Sequence, residues 1–317
     1  MPVQHHSYHY TYLYNIPSWW FYFCCLRIFL GWPIVTRLLK FPPNKYQTCS
    51  ASSSIVCFFH GIPVTYMAYL ALSASGQFTF DENFKAPFWS DMPVLNNNLS
   101  AYPAELKSSF SLVMSYSCGY MLYDLTFMLI NSFYYPVSAE PNFVDFIQHH
   151  IGCVVYMYSV SYFEAGYTGL MLLMFLGEVT NPFQNIMNIA NAGQEYFKSP
   201  SVYDKIEQIV QPVFGVLFAF VRLIIGAMLV FIFSYIYCYH NIFKVKTTER
   251  HIPITLGVIW VSAIFAMVHG SANFATENLI RAIELITGTS ERTTYIVQGT
   301  GKEKSLGTEK SEKEKSQ

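Results

Sequence analysis

Residues 213–239 read VFGVLFAFVRLIIGAMLVFIFSYIYCY, and Arg222 is the one charged side chain in this run. The run is longer than the roughly 20 residues that a helix needs to cross a bilayer. Its hydrophobicity is continuous, whereas a barrel strand would alternate apolar and polar side chains. Because backbone groups in lipid must be hydrogen-bonded within their own segment, the run predicts a membrane-spanning helix.

The rest of the chain has the composition of a membrane protein. Of its 317 residues 52% are hydrophobic and 12% are charged, about half the charged fraction of a typical soluble domain. Six other apolar runs resemble the first, so the sequence predicts an all-α membrane protein with about seven transmembrane helices. The predicted spans are 18–35, 54–73, 110–133, 143–163, 166–189, 213–239 and 252–271.

The distribution of basic residues predicts the orientation. Lys and Arg collect on cytosolic loops, and they occur at 37–45 after the first run and at 292–315 after the last. We therefore expect a lumenal N-terminus and a cytosolic C-terminus. The glycosylation sequon at Asn98 falls in a loop that is lumenal on this topology, whereas the basic residues at 244–250 oppose it.

Three segments follow from this division. Residues 1–44 form an N-terminal segment with the first transmembrane helix, and 45–285 carry six further transmembrane helices. Residues 286–317 form a charged cytosolic tail with almost nothing to bury, so we expect it to be disordered. Its last lysines, Lys313 and Lys315, resemble the dilysine retrieval address of endoplasmic reticulum membrane proteins.

Ionisable and amide side chains within the apolar runs are the main indication of function. A charge at membrane depth costs roughly 2.5 kcal/mol or more, so a chain that keeps several gathers them around a cavity or pathway. On the predicted topology these residues occupy the middle and the cytosolic half of the spans, which indicates a pocket open to the cytosol. The residues are His60, Asp124, His149, His150, Glu178, Asn181, Arg222 and His269.

The adjacent histidines His149 and His150 lie near the start of the fourth run. They differ by about 100° around a helix, so both line one cavity only if it meets a broad face. Asp145 lies four residues before His149, a spacing that brings side chains together and would fix the tautomer of His149. The alternative is a hydrated, inert pair at the interfacial end of a span.

The polar segment EVTNPFQN at 178–185 interrupts the fifth run. Pro182 has no backbone N–H and should bend or break the helix, and a bent polar segment in an apolar run often lines a cavity. A kink that only shapes the bundle is the alternative. In the third run, Asp124 either carries a proton or pairs with Arg222 or a histidine, and a structural ion pair between helices would also explain it.

Taken together, these segments resemble the TLC domain family, named for the translocation-associated protein TRAM, the longevity-assurance ceramide synthases and a ceroid-lipofuscinosis protein. The resemblance covers about residues 45–285 and implies a bundle of membrane helices around a central cavity. The glutamate-to-asparagine stretch is closer to TLC domain-containing proteins of the transmembrane protein 56 type than to ceramide synthases. The matching motifs are SIVCFFH at 54–60, GYMLYDL at 119–125, QHH at 148–150 and EVTNPFQN at 178–185.

The ceramide synthase branch of the family joins a fatty acyl-CoA to the amine of a sphingoid base. The resemblance therefore implies catalytic roles for His149 and His150, which match the histidine pair of that branch. Glu178 falls at the first acidic residue of the branch's Asp-x-x-Asp pattern. Asn181 falls at the second, so one carboxylate is missing, and this departure weakens the transfer of the activity.

Two functions remain open. We favour a multi-pass endoplasmic reticulum protein that acts in membrane lipid homeostasis by binding, sensing or transporting a membrane lipid. The alternative is an acyl-CoA-dependent N-acyltransferase, with His149 or His150 as base or transient acyl acceptor, Glu178 as orienter, and acyl-CoA and a sphingoid lipid as partners. We expect no metal or other cofactor, because the histidines form one adjacent pair plus scattered singles. Nucleic acid is not expected as a partner, since the net charge is −1 without a basic stripe.

Overall fold

The computed structural model is helical throughout its regular structure. It describes residues 6–74, 104–135, 143–163, 165–197, 202–243 and 252–289. Within these ranges no strand is present, so the prediction of an all-α membrane protein is confirmed. The sequon at Asn98, the basic residues at 244–250 and the tail after 289 lie outside the described residues.

The helices follow the apolar runs of the sequence. In chain order they are α1 (His6–Leu26), α2 (Tyr46–Ala74), α3 (Ala104–Tyr134), α4 (Phe143–Phe163), α5 (Tyr167–Glu178), α6 (Asn181–Phe197), α7 (Val202–Ala219), α8 (Gly226–Phe233), α9 (Asn241–Phe243) and α10 (Ile254–Thr287).

Four π-helical segments extend or join these helices in the described part of the chain. The segments are Arg27–Gly31 and Ile34–Leu38 after α1, Phe220–Ile225 between α7 and α8, and Ser234–His240 between α8 and α9. Wider π-helical turns are rare and occur frequently at functional sites. Two arginines of the apolar runs, Arg27 and Arg222, lie in such turns.

Within the described residues, four helical stretches are long and apolar enough to cross a membrane, judged by length and composition. They are Asn15–Leu38, Tyr46–Ala74, Val202–Phe243 and Ile254–Thr287. The first three contain the first, second and sixth predicted runs, and the last overlaps the seventh. The other three runs are also helical, but α3 and α4 are less apolar, and α5 and α6 are shorter. The count of seven spans therefore stays a prediction.

Helix α2 is central to the packing. It contacts α3, α5 and α6, while α3 contacts α1 and α4, and α7 contacts α6 and α10. The largest apolar core runs from Phe23 of α1 through Tyr123 and Met157 to Phe233 and Trp260. This arrangement brings the polar segments of α2, α3, α4 and the α5–α6 junction toward one interior region.

The predicted helix break before Pro182 is confirmed. Helix α5 ends at Glu178, Val179 and Thr180 form a turn, and α6 begins at Asn181. Pro182 cannot donate to the carbonyl of Glu178, and it lies in the first turn of α6, where no backbone donor is needed. The break leaves carbonyl oxygens at the end of α5 without helical partners.

Gly215 allows the close approach of α7 and α10. A Cβ at this position would overlap the Asn278 carbonyl oxygen and lie 2.7 Å from the Ala282 Cβ, and small residues permit such backbone contact between membrane helices. We expect Gly215→Ala to lower the free energy of unfolding by about 1 to 3 kcal/mol through overpacking. The measurement is the thermal unfolding midpoint in detergent.

Gly270→Ala on α10 is the matched control for Gly215→Ala. A Cβ on Gly270 would meet nothing within 4 Å, so this change should be neutral or slightly stabilising through better helix propensity. Equal losses of stability in both variants would contradict the assigned role of Gly215.

Candidate functional site

Glu178 ends α5 with its carboxylate buried against α2. Its Oε2 lies 3.5 Å from Nδ1 of His60 and accepts a hydrogen bond of 2.6 Å from Nδ2 of Asn181. Gly61, next to His60, faces the same junction, and a Cβ there would lie in van der Waals contact with the Asn181 Cβ at 3.4 Å. Three predicted site residues, His60, Glu178 and Asn181, are thus brought together across the helix break.

Aromatic rings hold His60 in place. The His60 side chain is fully buried, and its ring stacks on that of Tyr120 with centroids 3.8 Å apart and on that of Tyr116 at 5.5 Å. Tyr116 is itself anchored, since its hydroxyl donates to the Phe59 carbonyl over 3.0 Å. The stacking fixes the ring plane, and the 3.5 Å contact of Nδ1 with Glu178 is a charge contact, since neither ring nitrogen has a hydrogen-bond partner among the described residues.

A second pair joins α4 to α3. His150 is buried, its Nε2 lies 3.0 Å from Oδ2 of Asp124, and its Nδ1 lies 2.7 Å from the Phe146 carbonyl oxygen. Because a carbonyl oxygen only accepts, Nδ1 carries a hydrogen. Nε2 and the carboxylate then share one further proton, as histidinium with carboxylate or as neutral histidine with carboxylic acid. The pair therefore holds a proton inside the bundle.

His149 lies at the exposed edge of this region. Its Nε2 is 3.6 Å from Sγ of Cys153, one turn later on α4, and its ring is nearly perpendicular to that of His150, with centroids 5.7 Å apart. The two histidines diverge as the 100° spacing requires. The side chain of Asp145 lies outside the described residues, so its predicted pairing with His149 stays a prediction.

Arg222 reaches from the π-helical segment after α7 to the helix break. Its Nη2 donates to the carbonyl oxygen of Gly177 over 3.0 Å, which is one of the carbonyls released at the end of α5. Its Nε is buried without a hydrogen-bond partner among the described residues. Asp124 pairs with His150, so of the two partners predicted for this carboxylate the histidine is the one observed.

The two acid–histidine pairs and Arg222 form one electrostatic unit. Glu178 interacts at longer range with His149, His150 and Arg222. Cys57 on α2 is half-buried and interacts electrostatically with both Glu178 and Asp124. We define the polar cluster as His60, Asp124, His150, Glu178, Asn181 and Arg222.

His269 is not brought to the polar cluster. It is exposed, and its ring stacks on Phe265 with centroids 5.8 Å apart. Met267 faces the bundle, since its Sδ lies 3.9 Å from the Cys153 Sγ. A residue two positions later points about 200° away around the helix. Proximity to the end of an apolar run suggested His269, but the run alone does not indicate which face of α10 meets the bundle.

Sequence reasoning missed Arg27. This buried guanidinium donates to Ser53, to the hydroxyl of Tyr123 over 3.3 Å and to the carbonyl of Cys49 over 3.1 Å. It also lies 4.3 Å from the centroid of the Phe127 ring. Its position within the first apolar run could have indicated a role, because a charged residue in a membrane segment usually has a partner or a function. Arg27 thus connects the π-helical segment after α1 to α2 and α3.

An apolar groove opens on the outer surface next to the polar cluster. Its volume is about 270 Å³. Ile62 follows Gly61 on α2, and Val179 follows Glu178 at the helix break. The groove therefore lies where α2 contacts the α5–α6 junction. The lining residues are Ile62, Thr65, Tyr66, Tyr69, Phe175, Val179 and Pro182.

The polar cluster offers a carboxylate, a proton-holding pair and a partly unused guanidinium. These groups can bind a polar head group by charge and hydrogen bonds, and they can take up or release one proton. Among the described residues, no group of three or more His, Cys, Asp or Glu side chains is arranged to hold a metal ion.

Comparison with known proteins identifies the family. A family model described as the TLC domain matches residues 50–272, which is more than half of the chain. The chain belongs to the TLC domain family. A TLC domain-containing protein from Arabidopsis thaliana is 26% identical over 179 residues, or 56% of this chain and 58% of that relative. The comparison with solved structures gave no significant match.

The TLC domain contains every member of the polar cluster, from His60 to Arg222. The match of the family model confirms the family that was predicted from four sequence motifs. Arg27 precedes the matched region, so its contacts with Tyr123 and Phe127 attach α1 to the TLC domain from outside. The match covers less than two thirds of the plant relative.

Proposed function

We propose that this TLC domain protein is a multi-pass protein of the endoplasmic reticulum membrane that binds a membrane lipid at the polar cluster. By sensing or transporting that lipid it contributes to membrane lipid homeostasis. The observation that carries the proposal is a set of buried and half-buried acid, imidazole and guanidinium groups beside an apolar groove on α2, a helix long and apolar enough to span a membrane.

A lipid matches this combination of surfaces. Its hydrocarbon chain would occupy the groove, and its polar head would reach across the α2 contact to Glu178 and Arg222. Buried charges in membrane helices cost free energy, and the buried Nε of Arg222 still lacks a partner among the described residues. An oxygen of the head group would supply that partner.

The location and orientation rest on the sequence. The closing lysines Lys313 and Lys315 support retention in the endoplasmic reticulum. The basic residues at 37–45 and 292–315 support a cytosolic tail and a lumenal N-terminus. On this orientation the polar cluster is reached from the cytosolic half of the membrane.

Photocrosslinking in nanodiscs tests lipid binding. Clickable photoactivatable probes of a phosphatidylcholine, a fatty acid and a sphingoid base are compared, and labelled peptides are mapped by mass spectrometry. We expect at least one probe to label α2 or the α5–α6 junction, and labelling to fall roughly tenfold in Glu178→Gln, since a hydrogen bond to a charged group contributes about 1.5 to 3 kcal/mol.

Two further variants sharpen the crosslinking test. Glu277→Gln changes an exposed glutamate on α10 and should label like the unaltered protein. Thr65→Trp fills the groove while leaving the polar cluster unchanged, and it should also reduce labelling. Labelling that is equal in Glu178→Gln, Thr65→Trp and Glu277→Gln would contradict binding at this site.

The pair of His150 and Asp124 favours a second candidate, acyl-CoA-dependent N-acyl transfer. Amide formation from a thioester needs a base for the attacking amine, and the pair of His150 and Asp124, 3.0 Å apart, would take up that proton once it has released the one it holds. Purified protein with fluorescent acyl-CoA and a sphingoid base would then yield an amide, and His150→Asn would abolish it. No amide with any acyl length, alongside intact lipid crosslinking, would eliminate this candidate alone.

A further inference from the structure

Three soft donor atoms meet where α4 faces α10. The sulfur of Cys153 lies 3.6 Å from Nε2 of His149 and 3.9 Å from Sδ of Met267. His149 and Cys153 are four residues apart on α4, so their side chains lie one above the other, and Met267 comes from α10. A thiol is therefore in contact with both an imidazole nitrogen and a thioether sulfur, outside the polar cluster.

The spacing of these atoms matches that of ligands to one metal ion. Bonds of about 2.3 Å to sulfur and about 2.0 Å to nitrogen, at angles between tetrahedral and trigonal, separate neighbouring ligand atoms by roughly 3.5 to 4.0 Å. Both distances from the Cys153 sulfur fall in this interval. Atoms in simple van der Waals contact are spaced similarly, so the kinds of donor atom decide what the contact means.

The donor atoms favour copper(I). Thiolate and thioether sulfurs select Cu(I), and imidazole also binds copper, whereas zinc sites use thiolate, imidazole and carboxylate. Methionine is outside the His, Cys, Asp and Glu side chains that form no metal-binding group among the described residues. Charge favours the same ion. Cu(I) and one thiolate sum to zero, which suits half-buried ligands such as Cys153 and Met267, while a divalent ion would leave a net charge that is costly to bury.

A second thiol–thioether contact lies one turn further along α4. The Sγ of Cys118 on α3 is 3.8 Å from the Sδ of Met157, and Met157 follows Cys153 by four residues. Cys118 and Met157 are buried, Cys153 and Met267 are half-buried, and His149 is exposed. His149, Cys153 and Met157 thus form a row of soft donors on one face of α4, and the row begins at the exposed edge of the bundle.

We propose that His149, Cys153 and Met267 form a binding site for one Cu(I) ion. Cys153 binds as the thiolate and releases its proton to water, since a metal ligand must be deprotonated. His149 binds through Nε2 as the neutral imidazole, and Met267 binds through its sulfur. The copper keeps its oxidation state, so binding needs no oxidant or reductant.

This site is separate from the proposed lipid site. None of its three ligands belongs to the polar cluster, so Cu(I) binding does not depend on lipid binding. It departs from the expectation of no metal, which was based on the histidines alone. The sulfur of Met267 was not considered as a ligand there, because only the packing of α10 against α4 brings it to Cys153.

Competition for Cu(I) tests the proposal on the full-length protein in nanodiscs. Under anaerobic conditions the protein is titrated into the Cu(I) complex of bicinchoninate, whose colour is lost as the protein withdraws the ion. We expect withdrawal by the unaltered protein. In Cys153→Ser and in Met267→Leu the affinity should fall by more than the roughly 10- to 100-fold that loss of a hydrogen-bond partner behind a metal ligand costs.

Met228→Leu and Cys238→Ser are the matched controls. Met228 is exposed on α8, and Cys238 is half-buried in the π-helical segment after α8, so both variants should keep the affinity of the unaltered protein. Leucine has nearly the volume of methionine, so Met267→Leu should fold. Its thermal unfolding midpoint should be close to that of Met228→Leu.

X-ray absorption at the copper edge identifies the ligands in the unaltered protein, so the outcome does not depend on the folding of a variant. We expect sulfur ligands together with one imidazole, and loss of the imidazole signal in His149→Asn. Copper bound by thiolates without imidazole would overturn the proposal, because other cysteines would then supply the ligands. Equal affinity in Met267→Leu and Met228→Leu, or no withdrawal of Cu(I) from bicinchoninate, would overturn it as well.

Discussion

Asp124→Leu should lower the free energy of unfolding by about 3 kcal/mol, the lower end of the cost of breaking a buried ion pair. The change removes the only carboxylate 3.0 Å from Nε2 of His150 in the described part of the chain, and it leaves that nitrogen buried beside a hydrocarbon side chain. The loss is measured by equilibrium unfolding in detergent micelles or bicelles. Glu277→Leu, at an exposed position on α10, is the control and should change stability little.

A double-mutant cycle distinguishes pairing from simple packing. If the two side chains stabilise each other, the double variant Asp124→Leu/His150→Leu should recover much of the loss, because neither polar group is left without its partner. Additive losses from the two single changes would contradict a coupled pair.

Arg27→Ala should have an effect of similar size, about 3 kcal/mol, although Arg27 lies outside the matched TLC domain region. The change removes a charged donor from three acceptors, each hydrogen bond to a charged group contributing about 1.5 to 3 kcal/mol before the cost of burying the charge is subtracted. It also removes the guanidinium from the Phe127 ring. Thermal and chemical unfolding of the purified protein measure the loss.

Two companion variants define what Arg27 contributes. Arg27→Lys should restore little, because an ammonium cannot reach separated acceptors on α2 and α3 as a planar fork does. Arg37→Ala removes an exposed arginine from the neighbouring π-helical segment and should be nearly neutral. Full rescue by lysine would show that charge alone, rather than the bridging geometry, is what matters.

Features that depend only on neighbouring residues in the chain could be predicted from the sequence. The break before Pro182 follows from one missing backbone donor, and the continuous apolar runs led to helices at all seven predicted positions. The number of helices that cross the membrane was harder to predict from the sequence. Helices α3 and α4 carry polar side chains that face the interior of the bundle, and these side chains lower the hydropathy of both helices. Length and apolarity alone do not separate such helices from short interior ones.

Partners contributed by other helices were not predictable. Helical spacing indicates Asp145 as the neighbour of His149, whereas the carboxylate that contacts His150 is Asp124 on α3. The contact of Glu178 with His60 likewise depends on the packing of α5 against α2. Residue type identified which groups would be costly in a membrane, but only tertiary packing determines how they pair.

The same reasoning explains His269. His269 carried a signal by type alone, and the rotation of α10 directs it outward. Sequence periodicity does not determine this rotation when the helix is apolar on all sides, because either face can then contact lipid or protein.

A cryo-EM map of the protein in lipid nanodiscs, at a resolution that shows side chains, tests the central claim most directly. The account predicts Glu178 facing His60 and Asp124 facing His150 inside the bundle, with lipid density whose head lies at the polar cluster and whose chain follows the groove past Ile62 and Val179. A map in which Glu178 and His150 point into hydrocarbon on separate faces, with no lipid between α2 and the α5–α6 junction, would contradict it.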